Sequence, residues 1–124
     1  MKDHQSILRN RSNQNAPALR VVYCESFICR LKGLMFTPSI STEVGLLLVE
    51  ETESRINSAI HMFFMQYDIA VVWLDKDFRV VDVKIARKWQ PYYAPAAPAR
   101  FTLETNVLNF PYYQIVDHLQ VSDA

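Results

Sequence analysis

Between residues 19 and 121 short apolar runs alternate with polar breaks, a rhythm that predicts many strands and few helices. "LRVVYCE" (19–25) has the β-branched and aromatic content of a strand, and "GLLLVE" (45–50) reads as a second. "RINSAIHMFFM" (55–65) alternates, with Ile56, Ser58, Ile60, Met62 and Phe64 on one side and Arg55, Asn57, Ala59, His61, Phe63 and Met65 on the other. "IAVVWLD" (69–75) is unbroken and apolar, the pattern of a central strand covered on both faces. These two segments are expected to pair as a central hairpin with Asp68 at its turn. "FRVVDVKIARKW" (78–89) sets Val81, Val83 and Ile85 against Asp82, Lys84 and Lys88, a half-solvated arm. "RFTLET" (100–105) returns as a strand, and "HLQV" (118–121) adds a closing edge.

Helical signals are brief. In "SFICRLKG" Ser26 can cap a first turn, Phe27, Leu31 and Leu34 share a face, and Gly33 can end the helix in a left-handed conformation. A turn or short helix is expected around Pro111. The acidic stretch 50–54 reads as a solvated turn. Prolines 91, 95 and 98 keep "QPYYAPAAPA" out of any central strand, so it should run extended over the surface. Residues 1–17, rich in Asn, Gln, Ser and Arg, read as a flexible polar tail. Residues 18–124 then make one β-rich α+β domain, a twisted, partly closed, mainly antiparallel sheet with one or two short helices and no βαβ rhythm.

Composition narrows the chemistry. Lys plus Arg and Asp plus Glu each count 13, so no surplus of positive charge marks a nucleic-acid partner. No apolar run approaches the roughly 20 residues needed to span a bilayer, and the first residues lack the apolar core of a secretory signal. The expectation is a cytoplasmic protein with no membrane partner, in which Cys24 and Cys29 stay thiols. Two glycines, Gly33 and Gly45, cannot build a Gly-rich phosphate cradle, which argues against P-loop enzymes, nucleotide-dependent kinases and Rossmann dehydrogenases. His4, His61, His118, Cys24 and Cys29 form no metal-binding unit, so neither a metal nor a cofactor is expected.

Candidate sites follow from what is left. Glu50, Glu51 and Glu53 cluster in a polar stretch where nothing would raise their pKa values, and a solvated loop is the simpler reading. Trp89, Tyr92 and Tyr93 flank Pro91, with Arg87 and Lys88 just before. With His61 they could line a groove for a small molecule or peptide; the plainer reading is a lid whose aromatics fill the core. Asp68 reads either as a turn acceptor or as an assistant to His61.

"RLKGLMF" (30–36), "GLLLVE" (45–50), "IHMFFMQYDIAVVWLD" (60–75) and "APARFTLE" (97–104), in this order and spacing, resemble the family of domain-of-unknown-function 192. The resemblance covers about residues 20 to 122 and implies a compact β-rich fold without an established activity. The family pattern places Arg at Arg30, Gly-Leu-Met at Gly33, Leu34 and Met35, and in many members His at His61. It also places an acid where this chain has Ala70, and here the nearest acid is Asp68, two residues earlier. A Gly-Asp turn usual before the last strand is replaced by "IVDHL".

The functional expectation is a non-catalytic binding or accessory module with a groove under the Pro/aromatic loop, formed by His61, Arg87, Trp89, Tyr92 and Tyr93. The alternative is a small metal-independent enzyme with His61 as general base, assisted by Asp68 or Arg30. The partner would be a small molecule, a peptide or a protein.

Overall fold

A computed structural model describes residues 5–123; the first residues of the expected tail, His4 among them, lie outside it. In chain order it contains β1 (Gln5–Asn10), β2 (Leu19–Cys24), α1 (Phe27–Lys32), β3 (Val44–Ser54), β4 (Ile69–Leu74), β5 (Val80–Ala86), β6 (Ala99–Asn106), a 3-10 helix (Val107–Tyr112) and β7 (Leu119–Asp123). The seven strands form one sheet in the order β5-β4-β6-β3-β2-β1-β7. Every residue of β4 is buried, as its unbroken apolar run predicts, and β4 lies between β5 and β6.

All pairings are antiparallel except β2 with β3, which run parallel because α1 crosses between them. One βαβ unit is therefore present where no such rhythm is legible. The sheet stays open, and its edges meet only at one end through the bridge Arg79↔His118. There the Val80 N–H donates to the Asp117 carbonyl and the Leu119 N–H to that of Phe78, both at 2.9 Å.

Period-2 alternation sorts the sheet into two cores. One face carries Leu47, Val72, Leu74 and Leu103 with Leu8, Leu19 and Val21. The other carries Ile69, Val71 and Trp73, closed by Ile60, Met62 and Met65 from the loop that follows β3.

Several expectations are corrected. Residues 5–10 of the expected polar tail are β1, paired on both sides. Its alternation hides in polar residues: Ser6, Leu8 and Asn10 point inward, and buried Asn10 is satisfied by the Tyr112 carbonyl and Asp117 Oδ2 at 2.9 and 2.8 Å. The acidic stretch is no turn but the end of β3, with Glu50 buried. Residues 55–65 form no strand. The Ser54 hydroxyl accepts from the N–H groups of Ile56 and Asn57, turning the chain, and only Ile60 makes a bridge, to Tyr93. The hairpin partner of β4 is therefore β5. Asp82, expected outward, is buried under the proline-rich loop and accepts from the Ala96 N–H at 2.9 Å.

Cys24 and Cys29 are not thiols but a disulfide, with Cα atoms 5.5 Å apart. The strand end runs straight into the first turn of α1 and brings them together. This removes the free thiols as an argument for a reducing compartment. Ser26 caps α1, accepting from the Cys29 N–H at 3.1 Å, and Gly33 ends it, both as the sequence predicts, although Gly33 combines its positive φ of 49° with a ψ of −124° rather than the left-handed helical value. The helix nevertheless buries no residue: Phe27 is 68 % and Leu31 51 % exposed. It spans a hollow rather than packing on a core.

Candidate functional site

That hollow is a cavity of about 470 Å³ bounded by α1, β3, β6 and the loop 57–65. Its floor follows from register. Leu48 pairs with Thr102 and Leu46 with Glu104, so Leu48, Glu50, Thr102 and Glu104 project from one face of the sheet. Leu34, Met35, Ile60, Met62 and Met65 supply the apolar walls, and Arg30 and His61 stand among them.

Glu104 is the group that sets the chemistry. It is buried, lines the cavity, and its carboxyl makes no hydrogen bond or ion pair with any described residue. Burial alone raises its pKa from 4.5 to about 7. The cost of burying an unpaired carboxylate drives this, since protonation removes the charge. Its negative form is felt by Tyr67, whose phenol is raised first by burial, lowered by its bond to Thr37 at 2.7 Å, and raised again by Glu104.

Gly33 makes room for that carboxyl. A Cβ there would lie 3.2 Å from Glu104 Oε1, on a backbone at φ 49° and ψ −124° that L-residues avoid. Gly33→Ala is expected to lower stability by about 2 kcal/mol. A denaturant titration checks this, with a lower midpoint at unchanged slope as the outcome.

Arg30 stands at the mouth. Its Nε pairs with Glu50 Oε2 at 3.2 Å, and its Nη1 donates to the carbonyls of Val49, at 3.3 Å, and Glu25. Glu50 is raised above its ordinary pKa by burial, with Arg30 pulling it down and Glu51 pushing it up. The acid set aside as solvated thus sits in a built ion pair that ties α1 to β3.

His61 lies at the cavity with both ring nitrogens engaged by backbone. Its Nδ1 accepts from the Phe63 N–H at 3.2 Å, and its Nε2 meets the Leu31 carbonyl at 3.2 Å. This pattern fits the neutral tautomer protonated on Nε2, a ring that latches α1 to the loop. The lone pair that a general base would use is the one that meets the Phe63 N–H in this arrangement.

The remaining sequence candidates lie elsewhere. Asp68 pairs with Arg87 at 3.2 Å and accepts from the Lys88 N–H at 2.8 Å; it does not line the cavity and makes no hydrogen bond to His61. Trp89 and Tyr92 are exposed, and the Tyr93 hydroxyl accepts from the Arg87 N–H at 2.9 Å. None of Arg87, Trp89, Tyr92 and Tyr93 lines the cavity, because the 57–65 loop lies between it and the proline-rich segment. Ala70 pairs with Thr105, whereas Val71 pairs with Glu104, so the missing family acid would face away from this site. Among the described residues no group of three or more His, Cys, Asp or Glu is placed to hold a metal ion.

The residues that carry the family resemblance converge here: Arg30, Gly33, Leu34, Met35, His61 and Glu104 all line the cavity. The DUF192 family model, described as Uncharacterized ACR, matches residues 8–121. The chain belongs to the DUF192 family. Among its relatives is a UPF0127 protein of Thermococcus sibiricus, 38 % identical over 101 residues, which cover 82 % of this chain and 64 % of that protein. A second, from Thermococcus gammatolerans, is 44 % identical over 84 residues, covering 68 % and 53 %. The chain thus spans about half to two thirds of the length of these curated relatives. Two crystal structures share the fold found here. One is of a Sinorhizobium meliloti protein provisionally named a transcription regulator, with TM-score 0.84 and 15 % identity, covering 97 % of this chain and 94 % of that one. The other is of a protein of unknown function from Novosphingobium aromaticivorans, with TM-score 0.79 and 17 % identity, covering 95 % and 84 %. At these identities they show the fold alone.

Proposed function

We propose that this DUF192 domain is a non-catalytic small-molecule-binding module whose ligand enters the cavity under α1 and offers a hydrogen-bond donor to Glu104. The observation that carries the reading is the buried carboxyl with no protein partner. Buried polar groups in native proteins are paired, and one left open toward a cavity asks for its partner from outside. Leu34, Met35 and Met62 favour an apolar body next to that donor, and methionines adapt to its shape. An ammonium or a hydroxyl suits the head, because a carboxyl with a pKa of about 7 can be either anion or acid at neutral pH.

A second reading is favoured by the same pKa: Glu104, rather than His61, would act as a general acid or base on a bound substrate. A thermal-shift screen of amines, polyols and organic acids distinguishes binding from its absence. A ligand at a hundred times its Kd adds about 2.7 kcal/mol, a rise of several degrees. The expected result is a shift in the wild-type protein that Glu104→Leu abolishes, with the ligand recovered unchanged. A ligand consumed during the assay moves the reading to the enzyme. No shift with any amine or hydroxyl compound overturns both.

A further inference from the structure

The outer side of the same loops carries a feature the cavity does not use. Of five non-glycine residues with positive φ among the described residues, three are aromatic neighbours: Phe36 at 66°, Phe64 at 62° and Trp89 at 69°. Bulky residues rarely adopt this conformation, and where they do, the fold is holding them there. The Phe36 and Phe64 rings stack at 5.0 Å, and Trp89 tilts against Phe64 at 5.1 Å. Backbone bonds lock the group: the Phe36 N–H donates to the Phe64 carbonyl at 3.2 Å, and the Trp89 N–H to that of Met62 at 2.8 Å. The rings nevertheless face solvent, at 60 %, 47 % and 54 % exposure. A strained, cross-bonded triad that buries little is not there for the core.

We infer that Phe36, Phe64 and Trp89 form a rigid shelf that docks on an anionic lipid surface. Charge complementarity selects this occupant. Lys32 closes α1 four residues before Phe36, and Lys88 precedes Trp89; both are exposed and neither has a salt-bridge partner among the described residues. Exposed aromatic rings with lysines close by in the sequence match the headgroup region, where a ring enters the acyl boundary and an indole N–H stays wet. Contact of this kind needs no membrane-spanning segment, and none of the described helices is long and apolar enough to cross a membrane.

Tryptophan fluorescence reads the contact directly. Trp73 is fully buried, so a change on adding vesicles reports Trp89. Equimolar phosphatidylglycerol and phosphatidylcholine vesicles are expected to shift the emission to the blue and to sediment the protein, whereas pure phosphatidylcholine vesicles bind far less. Trp89→Ala should weaken sedimentation roughly tenfold or more, and Lys32→Gln with Lys88→Gln by roughly tenfold. Phe64→Asn separates docking from packing, because Asn tolerates positive φ. It should weaken vesicle binding without lowering Tm, whereas a ring needed for the fold would lower Tm. Unchanged emission with anionic vesicles overturns the proposal. So does a dimer in sedimentation velocity that Trp89→Ala converts to monomer, which would make the shelf an interface between copies.

Discussion

Glu104→Gln is expected to unfold at a higher temperature than the wild-type protein at about pH 8, and at nearly the same temperature at about pH 4. The sign follows from linkage. The carboxyl is raised on folding from 4.5 to about 7, so between these values the native state binds more protons than the unfolded state. Below 4.5 the group is neutral in both states and costs nothing in charge. Stability is then lost as pH rises through about 7, above which the folded protein holds a buried anion. A displacement of this size corresponds to about 3 kcal/mol, and on a domain of this length to a Tm difference on the order of 10 °C. Gln keeps the shape and cannot ionise, so the difference between variant and wild type isolates this one group. Thermal unfolding of both proteins across this pH range measures it. Parallel curves would mean that Glu104 ionises freely or has found a partner. A bound ammonium compound should itself bring the curves together, because it stabilises the anion that the empty site cannot.

Why the sequence does not reveal this residue is instructive. In "RFTLET" Phe101 and Leu103 mark one face of the strand as buried, and alternation then assigns Thr102 and Glu104 to solvent. The strand is central, and α1 with the 57–65 loop covers its second face. No local pattern carries that information. The same holds for β1, whose inward positions are Ser6, Leu8 and Asn10: the neighbours that satisfy Asn10 are about a hundred residues away. Signals that depend on adjacent residues were legible. Ser26 and Gly33 bound α1, and the apolar run 69–74 is the fully buried strand. Of the site, Arg30 and His61 could be picked out. The Arg87, Trp89 and Tyr92 group could also be seen, but the residues it was expected to share a groove with form a loop instead of a strand. Strict alternation over 55–65 misled because the Ser54 hydroxyl turns the chain there, a local bond that hydropathy does not weigh.

Trp73→Ala is expected to cost about 4 kcal/mol, a large part of the 5–15 kcal/mol that holds a domain together. Trp73 is the largest fully buried side chain among the described residues, and it lies on the face of the sheet that bears the cavity floor, paired with Thr102. Its indole Nε1–H donates at 2.8 Å to the carbonyl of Ser58, itself buried and part of the cavity wall. The residue thus both fills the core and ties down the loop that replaces the expected strand. Trp73→Phe separates the two roles. It keeps an aromatic ring but removes the donor, leaving the Ser58 carbonyl without that bond, at a cost of about 2 kcal/mol. If the tether shapes the site, the Phe variant should also lose affinity for any compound that binds beside Glu104, by more than its own loss of stability explains. Amide exchange should then quicken across residues 57–62 while β4 and β6 stay protected. A Phe variant with native exchange in that loop would mean that Ser54 and the Ile60–Tyr93 bridge hold it unaided, and that Trp73 serves packing alone.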